Sequence, residues 1–334
     1  MSRDFPAIPY PWQQPQWQHF MGQRASGKLP HAFMFTGQKG IGKRHLAMAL
    51  AQTVLCSAPQ SQLPCGQCRS CELNRANTHP DFMLLEPEEA GKAIKIDQVR
   101  ALSNFITKTS QQGGYKLAII EPAEAMNTNA ANALLKSLEE PAGDTLLLLI
   151  SHINSGVMAT IRSRCQLQVM SAPLLEQSLL WLQPLIGDGN AKELLALANG
   201  APLAALGLVS SDALEQRASL IRGLESVVQG GESPLVIAKQ WMSYEPRELL
   251  EWLLKWLHGI ACVQAGGNSP VPFSPLVMQF SQRLSGPFLY RFIDKVMLVK
   301  RQLLSGANPN KQLLLEELLM DWSVLARQAR GGNG

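Results

Sequence analysis

The 334-residue chain lacks any apolar run near the roughly 18 residues that a membrane span requires, which excludes a transmembrane helix. Its opening stretch, MSRDFPAIPYPWQQPQW, lacks the apolar segment of a secretory signal, so a cytoplasmic protein with no membrane contact is expected. Strong charge bias is missing too. The formal net charge is +4 and no basic run occurs, which permits nucleic-acid contact without arguing for it. Internal repeats and low-complexity segments are absent, which excludes a repeat array. Convincing strands are absent after about residue 167. What remains is an ordinary globular composition, 46% hydrophobic and 17% charged, long enough for two to three domains.

Cysteine is scarce and unevenly placed. Of six, Cys165 and Cys262 stand alone, whereas Cys56, Cys65, Cys68 and Cys71 fall within sixteen residues. In a reducing compartment such a cluster points to metal rather than disulfides. The spacing C-x8-C-x2-C-x2-C suits a closed tetrahedral zinc site, hence a structural one. An iron–sulfur cluster is the rival, since it also takes four thiolates. Nothing else in the chain calls for redox work, which favours zinc. Unligated surface thiols are the bland alternative.

Residues 37–44 read GQKGIGKR. The first seven fit a phosphate-binding loop: Gly37, Gly40 and Gly42 let backbone N–H groups turn inward, and Lys43 supplies a point charge. The eighth position calls for a Ser or Thr hydroxyl to hold Mg²⁺. Arg44 stands there, with no lone pair to offer and a positive charge of its own. Phosphate binding without metal is still open; ATP binding is doubtful. The acidic strand that a P-loop ATPase needs is KLAIIEPAEAM. Glu121 takes the metal-binding place, Pro122 follows where a water-activating acid belongs, and Glu124 would have to reach round.

The loop stands in the right context. Runs at 31–37, 82–87, 115–122 and 145–152 read as buried strands, alternating with helical patterns at 44–56, 96–109 and 127–141. That alternation implies a parallel sheet covered by helices, an α/β P-loop domain. Short helical stretches follow, with breaks at Pro184, Gly187–Gly189 and Gly200–Pro202. Longer helices come after about residue 212, the last opened by Asn308–Pro309 as a cap. Three domains are expected: 1–167 with the cysteine insert at 56–71, a small helical lid at 168–210, and an all-α region at 211–334.

The pieces HAFMFTGQKGIGKRHLA, the cysteine insert, HPDF, IKIDQVRAL, NALLKSLEEP and SRC occur in that order. Together they resemble the clamp-loader ATPase family of bacterial DNA polymerase III, within the AAA+ class. Cover is specific from about residue 10 to 168 and looser over the helical remainder, where NKQLLLEELLMDW is the matching stretch. YPW at 10–12, LPHA at 29–32, the Lys43–Arg44 ending, Pro122 and the short length place the chain with stator members rather than motors. The resemblance implies zinc on Cys56, Cys65, Cys68 and Cys71. It implies that Arg164, a surface arginine on spacing alone, is an arginine finger acting in trans on a neighbour's ATP. It puts Leu203 where motors carry a nucleotide-touching Arg, and the sensor position at Ser151 or His152. It implies a non-hydrolysing subunit with a collar-forming helical domain. The implied partners are gamma/tau motor and delta subunits, with the sliding clamp and primed DNA met through the complex. Three rivals are an active motor subunit, a stand-alone zinc-containing DNA-binding protein and a small-molecule kinase.

Overall fold

The four apolar runs fold as parallel strands, and a fifth strand joins them. The computed structural model describes residues 5–331 apart from 90, 142, 188, 210–212, 268–274 and 305–309. The chain forms two compact units, residues 1–182 with 200–204 and residues 183–199 with 205–334.

The first unit opens with helix α1 (Gln14–Ala25) and strand β1 (Ala32–Thr36). Next come α2 (Lys43–Leu55), α3 (Arg69–Arg75), β2 (Phe82–Leu85), α4 (Ile96–Ile106) and β3 (Lys116–Ile120). It continues through α5 (Thr128–Glu139), β4 (Thr145–Ser151), α6 (Ala159–Arg162), β5 (Gln166–Val169) and the start of α7 (Leu175–Ile186). The sheet order is β2-β3-β4-β1-β5, with every pairing parallel. All seven residues of β4 are buried, as expected of a central strand covered on both faces. Met34, Leu147, Leu149 and Ile120 from the sheet pack with Val99 and Leu102 of α4 and Leu134 and Leu138 of α5. The result is a parallel sheet flanked by helices, with the glycine loop following β1. Sites in such sheets form beyond the carboxyl ends of the strands. Here Gly37, Glu86, Glu121 and His152 each directly follow a strand: β1, β2, β3 and β4.

Three elements escape the sequence patterns. α1 has Pro15 in its first turn and no side-chain cap, and only Trp17, Phe20 and Met21 are buried in it. α3 lies inside the cysteine insert. β5 corrects the expectation that strands end with the fourth run. It is a four-residue edge strand whose Leu167 and Val169 are exposed while its glutamines are half-buried, the reverse of the usual pattern. Pro184 does not break α7, which continues to Ile186. So close to the C-terminal end, its missing N–H removes a single helical bond.

The second unit is helical: α8 (Ala191–Leu197), the later part of α9 (Pro202–Val209), α10 (Ala213–Gln229), α11 (Pro234–Gln240), α12 (Pro246–Gln264), α13 (Pro275–Arg283), α14 (Gly286–Leu304) and α15 (Lys311–Gly331). Its core gathers Leu220, Leu253, Leu257, Val296 and Leu318 around Trp256, Phe280, Phe292 and Trp322. The three rings nearest Trp322 have centroids 5.4–5.7 Å from it, and its indole N–H donates to the Leu224 carbonyl at 3.0 Å. Asn308 and Pro309 lie outside the described residues. Asn310 caps α15, its Oδ1 accepting from the Gln312 and Leu313 amides at 3.0 and 3.2 Å. No single helix among the described residues is long and apolar enough to cross a membrane.

Candidate functional site: a phosphate-type loop and a four-cysteine cluster

Gly37 leaves β1, and the loop turns through Gly40 and Gly42 into α2, with φ of 88° and 89° at the last two. These values favour glycine, and packing demands it as well. A Cβ at Gly40 would lie 2.5 Å from the Ala204 Cβ, and one at Gly42 would lie 2.7 Å from Gln13 Nε2. The protein's own atoms therefore press on the loop. The Leu203 amide donates to the Gly40 carbonyl at 3.0 Å. The indole N–H of Trp12 donates to the Ile41 carbonyl at 3.0 Å, and Gln13 Nε2 to the Gly42 carbonyl at 2.8 Å. Tyr10 stacks between Trp12 and His45 at 4.8 and 4.4 Å, with Trp181 edge-on to both Tyr10 and Trp12.

Lys43 is buried, and its ammonium group donates to the carbonyls of Gly37 and Gln38, both at 2.7 Å. Burial pushes its pKa down to about 8, against the pull of Glu121 and Glu124. Arg44 lies where a metal-binding hydroxyl belongs, and its guanidinium pairs with Glu86 and with Glu121, the latter at 3.1 Å. Burial works against this charge, but the bond to Glu86 and the field of Glu121 hold the pKa above its ordinary value. Burial raises the Glu121 carboxyl, Glu86 adds to the effect, and Arg44 and Lys43 oppose it. The acid expected to face a metal thus faces an arginine instead.

Ser151 and His152 part company. Ser151 is fully buried, and its hydroxyl turns back to the Ile153 backbone. His152 Nε2 lies 3.8 Å from Glu121 Oε1, and burial with Lys43 nearby pushes its pKa down to about 4. A neutral imidazole therefore faces the acid at ordinary pH. Glu124 lies close enough to Lys43 to raise the lysine pKa. Its Oε1 accepts from the His152 amide at 2.9 Å.

The four cysteines are brought together. Cys56 ends α2, Cys65 and Cys68 lie in the connecting loop, and Cys71 sits in α3. All four Sγ atoms lie within 4.8 Å of one another. Three of the separations are 3.7, 3.8 and 3.9 Å. Four sulfurs around a zinc at about 2.3 Å lie about 3.8 Å apart, so the donor set and spacing fit a structural zinc. The Cys65 and Cys68 amides donate to the sulfurs of Cys56 and Cys65 at 3.3 and 3.4 Å, a pattern that steadies thiolate charge.

Arg164 stands apart from the loop. It follows α6, with Nη1 donating to the Thr160 carbonyl at 2.9 Å and Nη2 paired with Glu139 Oε1 at 2.6 Å. Beside it, Cys165 is partly buried against the sheet core, and desolvation pushes its thiol pKa up to about 12.

Residues 12–173 match the family described as DNA polymerase III, delta subunit, and residues 211–324 match its C-terminal family. A Pseudomonas aeruginosa protein named DNA polymerase III subunit delta' is 43% identical over 95% of this chain and 98% of its own length. The chain belongs to the DNA polymerase III delta-prime family. The Escherichia coli delta-prime protein is 32% identical over 93% of this chain and 94% of its own. Among solved structures, a Thermotoga maritima DNA polymerase III gamma subunit-related protein covers 95% of this chain and all of its own at a TM-score of 0.50. Its 18% identity bears on the fold alone.

In this delta-prime family member, sequence reasoning missed Gln13, Trp12 and Trp181 at the loop. Tyr-Pro-Trp was visible as a segment, but nothing local says that it folds onto residues 41 and 42. It also missed what HPD does. Asp81 is fully buried and accepts from the Gln111 and Gln112 amides, each at 2.8 Å, while pairing with Lys116 at 2.8 Å. Through Asp81 the motif pins the loop at Gln111 and Gln112.

Proposed function

We propose that this chain is the stator of a clamp loader: a subunit that does not hydrolyse ATP itself and serves the ATP site of a neighbour. The carrying observation is Arg44. Its guanidinium stands between Glu121 and Glu86, so the strand-end acid is neutralised by the chain itself. Pro122 after Glu121 supplies no base, and Leu203 meets the loop only through its backbone amide. Delta-prime homology and the P-loop sheet support a place among gamma/tau motor and delta subunits, which reach the sliding clamp and primed DNA as a complex. Within that reading, Arg164 is the arginine finger offered across the interface, His152 occupies the sensor position, and residues 168–210 and 211–334 are lid and collar. Zinc on the four cysteines supplies a cross-link between the end of α2 and α3.

The test is ATP turnover. The isolated chain is expected to show none above background. In a reconstituted complex, Arg164→Ala should slow hydrolysis at the facing motor site by a large factor, about 10³–10⁵ for arginine fingers. Lys43→Ala should leave turnover by the complex nearly unchanged. Robust turnover by the isolated chain, abolished by Lys43→Ala, would identify it as a motor.

A further inference from the structure

We infer that Glu139 is a positioning residue for Arg164, holding its guanidinium ready for a neighbour's phosphate; this rests on the arginine-finger reading above. Arg164 follows a one-turn helix and has many rotamers to lose. Two groups on different elements restrain it. Thr160 of α6 accepts from Nη1 at 2.9 Å, and Glu139 at the end of α5 holds Nη2 at 2.6 Å. Both elements are anchored in one core: Leu134 and Leu138 from α5 and Ile161 from α6 are at most 2% exposed in it. Asn127 fixes the start of α5, its Oδ1 accepting from the Ala130 amide at 2.8 Å.

Glu139 also breaks a local rule. It is the last residue of α5, where the helix dipole presents its negative end and an acid is disfavoured. Arg164 compensates it. The pair is only partly covered, 35% and 49% exposed on the two side chains, so it contributes little to stability. A weakly stabilising pair at a disfavoured position is the mark of a site feature rather than of a fold feature. Two of the five guanidinium N–H groups are engaged, and the others have no partner among the described residues. They remain available to a phosphate oxygen.

The test uses reconstituted clamp loader with primed DNA and clamp, and follows the phase of ATP hydrolysis that Arg164→Ala removes. Glu139→Ala should slow that phase by about 5- to 30-fold, the factor for losing one or two kcal/mol of preorganisation. The half-saturating ATP concentration should stay unchanged, because the interaction belongs to the transition state. Glu139→Gln keeps an acceptor oxygen and should recover most of the rate. In an Arg164→Ala background, Glu139→Ala should have no further effect. If Arg164→Ala slows hydrolysis but Glu139→Ala is silent or accelerates it, the positioning role falls and the finger stands. The role also falls if Glu139→Ala slows both backgrounds equally. If Arg164→Ala itself is silent, the finger reading fails first and takes this inference with it.

Discussion

The two ends of α2 carry two sites whose charged and ligating groups are partnered in different ways. At the N-terminus, Lys43 and Arg44 sit in a phosphate-loop fold, and the chain supplies the partner for every charge: backbone carbonyls for Lys43, two carboxylates for Arg44. At the C-terminus, Cys56 joins three other cysteines, and the four sulfurs lie within 4.8 Å of one another. The difference separates charges paired within the chain from donors that a cation would complete. A site awaiting a ligand holds groups whose charge the ligand completes. On the stator reading proposed above, the loop's self-sufficiency is that of a site out of use.

The sharpest way to break this comparison is at the thiol end, where the largest effect is expected. One zinc per chain should be found by elemental analysis. Structural zinc binds small peptides with an apparent free energy of about 10–16 kcal/mol. Removing it by chelation, or by Cys71→Ser, should expose the insert between Cys56 and Thr78 to rapid hydrogen exchange. The sheet core should stay protected, since none of its buried residues lies in the insert. Iron in place of zinc, or global unfolding on chelation, would contradict this.

How much of this was legible in the sequence depends on how local each signal is. The four core strands announce themselves because both faces are buried, so TLLLLIS is apolar without interruption. β5 does not, because Gln166 and Gln168 turn inward and Leu167 and Val169 turn out. The cysteine cluster was readable because its ligands lie within one short segment. The departures from the loop motif were readable too, in Arg44 and Pro122. What packs against the loop was not. Glu86 and Trp12 come from segments 42 and 29 residues away, and no periodicity connects them to it. Likewise the sequence did not show that the Ser151 hydroxyl turns to the Ile153 backbone while His152 lies 3.8 Å from Glu121.

A second contrast sharpens the first, because not every buried ion pair in this sheet marks a former site. Asp81 and Lys116 are 0% and 6% exposed and serve only the fold. Lys116→Met should cost about 3–5 kcal/mol, the price of stranding a buried carboxylate. Burial raises the Asp81 pKa, but Lys116 and the Gln111 and Gln112 amides outweigh it, so the folded value lies below the ordinary one. The stability this contributes is present above the unfolded pKa near 3.9 and lost as pH falls through the folded value. Without Lys116, acid unfolding should therefore begin at higher pH. Denaturant titrations across pH 2–7 measure both effects, and an unshifted acid limb would show that the two amides suffice.

At Arg44 the expected cost is smaller, because its side chain is 38% exposed and water screens the pair. Arg44→Ala leaves Glu121 buried beside Glu86, and about 1–3 kcal/mol should be lost. Adding Glu121→Gln should recover much of it, since the uncompensated charge is then gone. Arg44→Ser should not restore ATP turnover, because Pro122 still stands where an acid is needed. Full stability in Arg44→Ala would mean that solvent, not the guanidinium, satisfies Glu121.

The smallest effect probes whether the loop's lysine misses its phosphate. Lys43 keeps its ammonium against two carbonyl dipoles, with burial as the main force on its pKa, which lies near 8 against 10.5 for the free side chain. A depressed lysine pKa means that the folded state releases its proton before the unfolded state does. Between pH 8 and 10.5 the unfolded chain binds the extra proton, so stability rises with pH across that window and is flat below it. By pH 9 the gain should be on the order of 1 kcal/mol relative to pH 7. Lys43→Met removes the titrating group, and its stability difference from the native chain should change in that direction over the same window. A phosphate bound in the loop would supply the missing negative charge and abolish the rise. Denaturant titrations at pH 7, 8 and 9, with and without ATP, therefore ask one question. If ATP flattens the native profile, the loop still receives a nucleotide. If ATP leaves the rise intact, the loop has been internalised as completely as its hydrogen bonds imply.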